Sequence, residues 1–320
     1  MNAVSTTKAK GQVYSQSFGK RLVTDFRRNG ELYILVIPVL AYFIIFQYGP
    51  MYGAQIAFRN FRPMAGIWGS EWVGFQWFMQ FFNSPFFLSR LYNTFRISFL
   101  SLVFGFPAPI ILALFLNEVK SRKFARTVQT ITYMPFFISV VVVAGMLINF
   151  LGSTGVITQL LAPFGVPARN MLDNVNYFLP IFILTGIWQG VGWGSIVYLA
   201  ALQGIDQEQY EAASIDGANR WQQTIHVTIP GILPTIVILL ILRMGQMLAV
   251  GADLILLIYG PAIYDVADVI QTFVFRQGIE NANHSYATAV GLFNSVVNLT
   301  FLIGANFLAK KASSDEMSLF

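Results

Sequence analysis

Cysteine is missing from this 320-residue chain, and its absence excludes disulfides, thiol catalysis, iron–sulfur clusters and cysteine-ligated zinc. Charge is nearly as scarce. Asp, Glu, Lys and Arg make up 11% of the residues, against roughly a quarter in a soluble domain. Only two histidines occur, His226 and His284; neither has a partner at metal-ligand spacing, so neither is assigned a metal or a proton relay. A phosphate-binding loop of the form G-x-x-x-x-G-K-[ST] is also lacking, since Gly19 and Lys20 stand without its other elements, and no nucleotide chemistry is assigned to this chain. No internal repeat is evident, and no low-complexity tract beyond the polar N-terminal tail.

What is abundant is apolar surface, at 55% of the residues. A bilayer core of about 30 Å takes roughly 20 helical residues at 1.5 Å each. Six near-uncharged stretches qualify: 32–48, 93–116, 130–151, 177–202, 232–258 and 286–308. The expected fold is therefore all-α, a polytopic integral membrane protein of six transmembrane helices. Its expected parts are a basic tail over 1–30, a six-helix domain over 31–311 and a short tail over 312–320. Pro38 in the first span and the Pro107 and Pro109 pair in the second predict kinks, tolerable inside a helix bundle. Gly186, Gly190 and Gly194 in the fourth predict close helix contact.

The tail before the first apolar run has no apolar core, and that run lacks a small-residue cleavage site, so it is read as an uncleaved anchor. The charge of +5 does not lie along one face, as nucleic-acid binding would require, but sits in clusters at the ends of the spans. Lys8, Lys10, Lys20, Arg21, Arg27, Arg28, Lys120, Arg122, Lys123, Arg126, Arg220, Lys310 and Lys311 fall on one side of the membrane; Arg59, Arg62, Arg90, Arg169 and Arg276 fall on the other. Thirteen against five puts both termini in the cytoplasm by the positive-inside bias.

The long outer loop, 49–92, is rich in aromatics, among them Trp68, Trp72, Phe75, Trp77, Phe78, Phe81 and Phe82. Amphipathic rings favour the membrane interface, and an interfacial belt is the preferred reading over a sugar-stacking surface.

Between the fourth and fifth spans lies a polar island, 204–230, GIDQEQYEAASIDGANRWQQTIHVTIP. Asp206 with Gln209 has capping-box spacing, Gly217 can stop the helix, and a second start at Asn219 runs to His226 before Pro230 opens the next span. Two short helices joined at a glycine result. Tyr210, Ala213 and Ser214 fall on one side, where small side chains would let another protein approach.

Glu211, Ala212, Ala213, Asp216, Gly217, Ala218, Val227, Thr228, Ile229 and Pro230 resemble the EAA loop of ABC importer permeases: EAA, three residues, G, nine residues, I-x-L-P. Val227 and Ile229 depart from the favoured isoleucine and leucine by apolar exchanges only. From Gly30 onward the chain looks most like the polysaccharide branch of the maltose-like permeases, through LRMGQML, YDVADVIQTFVFRQGI, YATAVGLFNSVVN and ANFLAKK. The resemblance implies a type I ABC importer permease fold and a coupling helix spanning Glu211 to Ala218 that seats in an ATPase subunit, with Ile229 and Pro230 closing the motif. It also implies a second, homologous permease, two cytoplasmic ATPase subunits carrying ATP and Mg, an extracytoplasmic solute-binding protein, and oligosaccharide cargo. No cofactor is expected on this chain itself, and no enzyme activity.

Arg243 falls in the middle of the fifth apolar run, where a cation costs roughly 2.5–3.5 kcal/mol unless it faces protein or water, so it should point inward. Gln246 follows it by about one turn, and Asn294 and Asn298 share a face of the sixth span. Together with Arg96 and Trp188 these are candidate substrate-path residues. Arg243 and Arg96 would suit acidic sugars such as alginate fragments; hydrogen bonding between helices, or pairing with the partner permease, is the alternative for Arg243 and the preferred reading for Asn294 and Asn298. Trp188 and Gln189, with Tyr259 and Tyr264, are further candidate sugar neighbours, although aromatic residues at membrane interfaces are ordinary, and Asp253 is expected to pair locally. Competing readings are a gradient-driven secondary transporter, disfavoured by the lack of inverted repeats and intramembrane acids, and a sensor or scaffold that merely recruits a cytoplasmic partner.

Overall fold

The computed structural model describes residues 28–312; the expectations for residues 1–27 and 313–320 lie outside the described residues. Six helices are long and apolar enough to cross a membrane: Gly30–Phe58, Phe87–Glu118, Val140–Phe164, Val175–Gln203, Arg220–Met244 and His284–Lys311. They correspond to the six stretches read from hydropathy, with differences at the third and fifth. The chain divides into two compact units, residues 1–55 and 56–320.

In the first unit, α1 (Gly30–Tyr42) carries Pro38 and runs into a π-helical stretch, Phe43–Tyr48. No residue of either is buried. An apolar helix with no buried residue is stable in hydrocarbon or against other protein.

The second unit opens with the only strands among the described residues, β1 (Arg59–Arg62) and β2 (Ser70–Trp72), antiparallel with Arg59 opposite Trp72. A short helix follows, α2 (Gln76–Phe82). The second span is α3 (Phe87–Gly105) joined to α4 (Pro107–Glu118). Phe106 between them stays helical at φ −72 and ψ −42. Pro107 therefore takes the first position of a new helix, where the missing N–H breaks no helical bond.

After α5 (Arg122–Tyr133) the expected third span is interrupted. A 3-10 turn, Met134–Phe137, precedes α6 (Val140–Leu151), which is capped by the Ser139 hydroxyl accepting from Val142 N. Hydropathy does not register this break, because Pro135 and its neighbours are apolar on both sides of it. The carbonyl of Ile138 at the break accepts from Gln189 Nε2 at 2.9 Å, as a backbone group away from water requires.

The fourth span, α7 (Val175–Gln203), contacts many of the other elements. The expected glycine ladder works differently from its spacing. A Cβ at Gly186 or Gly190 would meet nothing within 4 Å, whereas at Gly192 it would run into the Thr132 backbone, and at Gly194 it would meet Pro109 at 3.0 Å. The close approaches are thus to α5 and α4, through Gly192 and Gly194.

Beyond α8 (Gln207–Ile215) and α9 (Arg220–Gln223), α10 (Ile229–Met244) carries the fifth span. The expected continuous helix over 232–258 is broken: α10 ends at Met244, and α11 (Ala252–Ile258) starts from Gly251, whose φ is +68. Only glycine adopts that backbone freely. Within the unwound stretch, Leu248 N donates to Asn298 Oδ1 at 2.8 Å. The chain closes with α12 (Ile270–Phe275) and α13 (His284–Ala312).

Three apolar clusters hold the unit. Ile97, Val143, Phe178, Phe182 and Ile255 belong to the largest; Phe81, Ile270, Phe273, Tyr286 and Val290 form the second; Ala113, Tyr198, Leu202, Ile205 and Ile232 form the third, against which Tyr210 and Val227 pack.

Candidate functional site

The 204–230 loop folds as two helices joined at a glycine. Asp206 caps α8, its carboxylate accepting from Glu208 N at 3.0 Å. The reciprocal box expected with Gln209 is not the one that forms. The box lies at α9, where Asn219 Oδ1 accepts from Gln222 N at 2.9 Å and Gln222 Oε1 accepts from Asn219 N at 2.8 Å. At the end of α8, Gly217 has φ +81. Gly217 N donates to Ser214 O at 3.1 Å and Ala218 N to Ala213 O at 2.9 Å, a Schellman motif that satisfies two of the helix's last carbonyls.

Side chains then brace the two helices. Tyr210 and Thr228 hydroxyls lie 3.0 Å apart, and Gln223 Nε2 donates to Ser214 Oγ at 2.9 Å and Ala218 O at 3.2 Å. Tyr210 and Ser214 therefore serve the loop's own fold rather than the docking side assigned to them. The outward stripe is Glu208, Glu211, Ala212 and Ile215, at helical spacing on α8. Ile215 is 87% exposed and Trp221 on α9 is 72% exposed. The signal in the sequence is Ile215 and Trp221, large apolar side chains set among polar neighbours. Of the motif residues, Asp216, Gly217 and Pro230 are exposed, while Ala213, Ala218 and Ile229 are half-buried. Arg220 pairs with Glu118 at 2.9 Å and so ties the loop to the end of α4.

A cavity of about 630 Å³ opens between α3, α4, α7, α10 and α11. Arg243, Gln246, Gln189 and Asp253 line it, with Ser98, Ser101, Gly186 and Gly190. Among the described residues Arg243 and Asp253 make no ion pair. The local pairing expected for Asp253 is therefore not found. Arg96 and Trp188 are exposed and do not line the cavity, and neither do Asn294 and Asn298. Asn298 is engaged with Leu248, the helix-to-helix role, and Asn294 Oδ1 is buried without a partner.

A polar cluster that the sequence did not reveal ties the start of α3 to the segment between the fifth and sixth spans. Asp268 Oδ2 accepts from Arg90 Nε at 2.9 Å and Arg276 at 2.7 Å, and Oδ1 accepts from Thr272 Oγ1 at 2.7 Å. Asn93 Nδ2 donates to the carbonyls of Asp265 and Asp268, at 2.8 and 3.1 Å. Burial pushes the Asp268 pKa up, but the hydrogen bonds from Arg276, Thr272 and Arg90 outweigh it and hold the carboxyl below its ordinary range. Tyr259 is engaged too, its hydroxyl accepting from Arg276 at 2.9 Å and its ring 4.9 Å from that of Tyr264.

In the 49–92 segment Phe81 is buried and Trp77 and Phe78 half-buried, while Trp68, Trp72, Phe75 and Phe82 stay exposed, and several rings contact one another. Phe58 stacks on Trp72 at 5.6 Å, Arg59 lies over Trp68 and Trp72, and Trp77 Nε1 donates to Arg59 O at 2.9 Å. His226 contacts Gln222 O, and His284 packs near Phe61. No group of three metal-ligating side chains occurs among the described residues.

Residues 105–314 match the family of binding-protein-dependent transport system inner membrane components. Protein LplB of Bacillus subtilis (strain 168) is 43% identical over 98% of this chain and 98% of its own length. The polygalacturonan/rhamnogalacturonan transport system permease protein YteP of the same organism is 40% identical, over 93% of this chain and 94% of its own. Among solved structures, a chain of a bacterial ABC transporter involved in the import of the acidic polysaccharide alginate is 43% identical with a TM-score of 0.84, covering 92% of this chain and 100% of that one. A second structure, of a bacterial alginate ABC transporter in complex with an alginate pentasaccharide-bound periplasmic protein, is 42% identical with a TM-score of 0.83, covering 92% and 99%. With its six apolar helices and this family match, the chain is a multi-pass inner membrane protein, and it belongs to the binding-protein-dependent transport system inner membrane component family.

Proposed function

We propose that this chain is one of two different permease subunits of an ATP-driven importer of acidic oligosaccharides. The observation that carries the reading is likeness over almost the whole chain, at 43% identity and a TM-score of 0.84, to a chain of an importer of an acidic polysaccharide. YteP, named for polygalacturonan and rhamnogalacturonan, supports the same substrate class. Glycans of this kind present carboxylates, and Arg243 in the cavity is a cation with no ion-pair partner among the described residues.

In this reading both termini are cytoplasmic, as the thirteen-to-five split of basic residues favours, and the 204–230 loop is cytoplasmic with them. Glu211 to Ala218 seats in an ATPase subunit, and the exposed Ile215 and Trp221 lie beside that contact. ATP with Mg acts on the two ATPase subunits, and closure of their dimer moves the docked loops as levers. The spans rock, the cavity opens toward an extracytoplasmic binding protein, and hydrolysis resets the system. The chain contributes geometry and no bond-breaking chemistry.

The test is uptake by proteoliposomes holding both permeases, the ATPase subunits and the binding protein. Uronate oligosaccharide should enter only with internal ATP. Uptake driven by an ion gradient without the ATPase subunits would point to a secondary transporter. No uptake with every component present would point to a sensor or scaffold.

A further inference from the structure

The fifth span is where the cavity carries charge. Arg243 stands in the last turn of α10, one residue before that helix ends at Met244. The helix unwinds directly after it, and Asp253 sits in the first turn of α11 once the helix resumes. Arg243, Gln246 and Asp253 are all exposed into the same cavity, and none of the three side chains has a hydrogen-bond or ion-pair partner among the described residues. Most of the rest of the lining is glycine and apolar side chain, together with Gln189, which is held by Ile138.

Two opposite unpaired charges lining one largely apolar cavity call for a use. A site built only to hold an anion would keep the arginine and leave out the acid. A path that must also release a polyanion needs binding weak enough to leave. Resting on the acidic-oligosaccharide reading above, we propose that the broken fifth span forms a balanced carboxylate subsite. Arg243 and Gln246 take one uronate carboxylate of the passing chain. Asp253, on the far side of the unwound stretch, repels the next and prevents the substrate from lodging. Asp253 is then a specificity-determining residue that sets release, while Arg243 sets capture.

The experiment uses the reconstituted full transporter and two probes, a uronate trisaccharide and its carboxyl-reduced neutral counterpart, both delivered by a saturating binding protein. Arg243→Gln should cut acidic uptake at least tenfold and change neutral uptake less than threefold. Asp253→Asn should lower the KM for the acidic probe and lower its kcat, each at least threefold, with the neutral probe unmoved. The absence of cysteine adds a direct readout, because Asp253→Cys, which keeps Arg243 for capture, introduces the one thiol on this chain. A charged methanethiosulfonate reagent should label it, and the acidic probe should protect it. Equal effects on both probes, an unaltered Asp253→Asn, or failure of either variant to assemble with the partner permease would each overturn the subsite; the last would make these side chains interface contacts. A wild-type complex that carries the neutral probe and not the acidic one would instead overturn the substrate class proposed above.

Discussion

Replacing Gly217 isolates the cost of one backbone angle. Its φ of +81 lies in the left-handed region, and a Cβ added there meets nothing within 4 Å, so a substitution brings strain without a clash. An L-residue held in that region costs roughly 1–2 kcal/mol, and a β-branched one more. One or two kcal/mol shifts a two-state population by about five- to thirtyfold. The loss falls on the Schellman bonds of Gly217 N and Ala218 N, and so on the angle between α8 and α9. Gly217→Val should therefore raise hydrogen exchange at those amides by about that factor and, on the docking proposed above, reduce co-purification of an ATPase subunit, while membrane insertion stays normal. Gly217→Asn should stay close to the parent, because asparagine enters the left-handed region readily. Parent-like protection and ATPase association in Gly217→Val would refute both the turn's role and its link to docking.

Asp268→Ala leaves Arg90 and Arg276 without their shared carboxylate and should cost about 3–5 kcal/mol, read as a lower thermal midpoint in detergent. Because the folded pKa of Asp268 is depressed, its contribution is fully present above the unfolded value of about 3.9 and is lost as pH falls through the lower folded value. The gap between Asp268→Asn and the parent should then be constant from pH 7 to 5 and shrink only below about pH 4. Gly192→Ala, driven against the Thr132 backbone, should destabilise by about 1–3 kcal/mol, whereas Gly186→Ala and Gly190→Ala should stay within about 0.5 kcal/mol; equal effects at all three would show that spacing and not contact governs this helix. Asn298→Val strands the Leu248 N–H inside the break of the fifth span and should cost about 1–3 kcal/mol, with faster exchange at that amide as the specific sign.

The sequence by itself determined what is local. Twenty apolar residues in a row satisfy the bilayer wherever they occur, so the six spans were legible from composition. The bent loop was equally legible, because caps at Asp206 and Asn219 and a left-handed glycine at 217 act within a turn of themselves. Tertiary structure decided what depends on which faces meet. Gly186, Gly190 and Gly194 share a spacing, yet only the last makes a close contact, and Gly192, outside that ladder, meets another backbone. The fifth span breaks at Met244 because Asn298, 50 positions away from Leu248, can serve the unwound amide. Asp268 gathers Arg90 from 178 positions upstream, a pairing that hydropathy is blind to. Desolvated backbone and buried charge must find partners somewhere in the fold, and their distance along the chain carries no information about where.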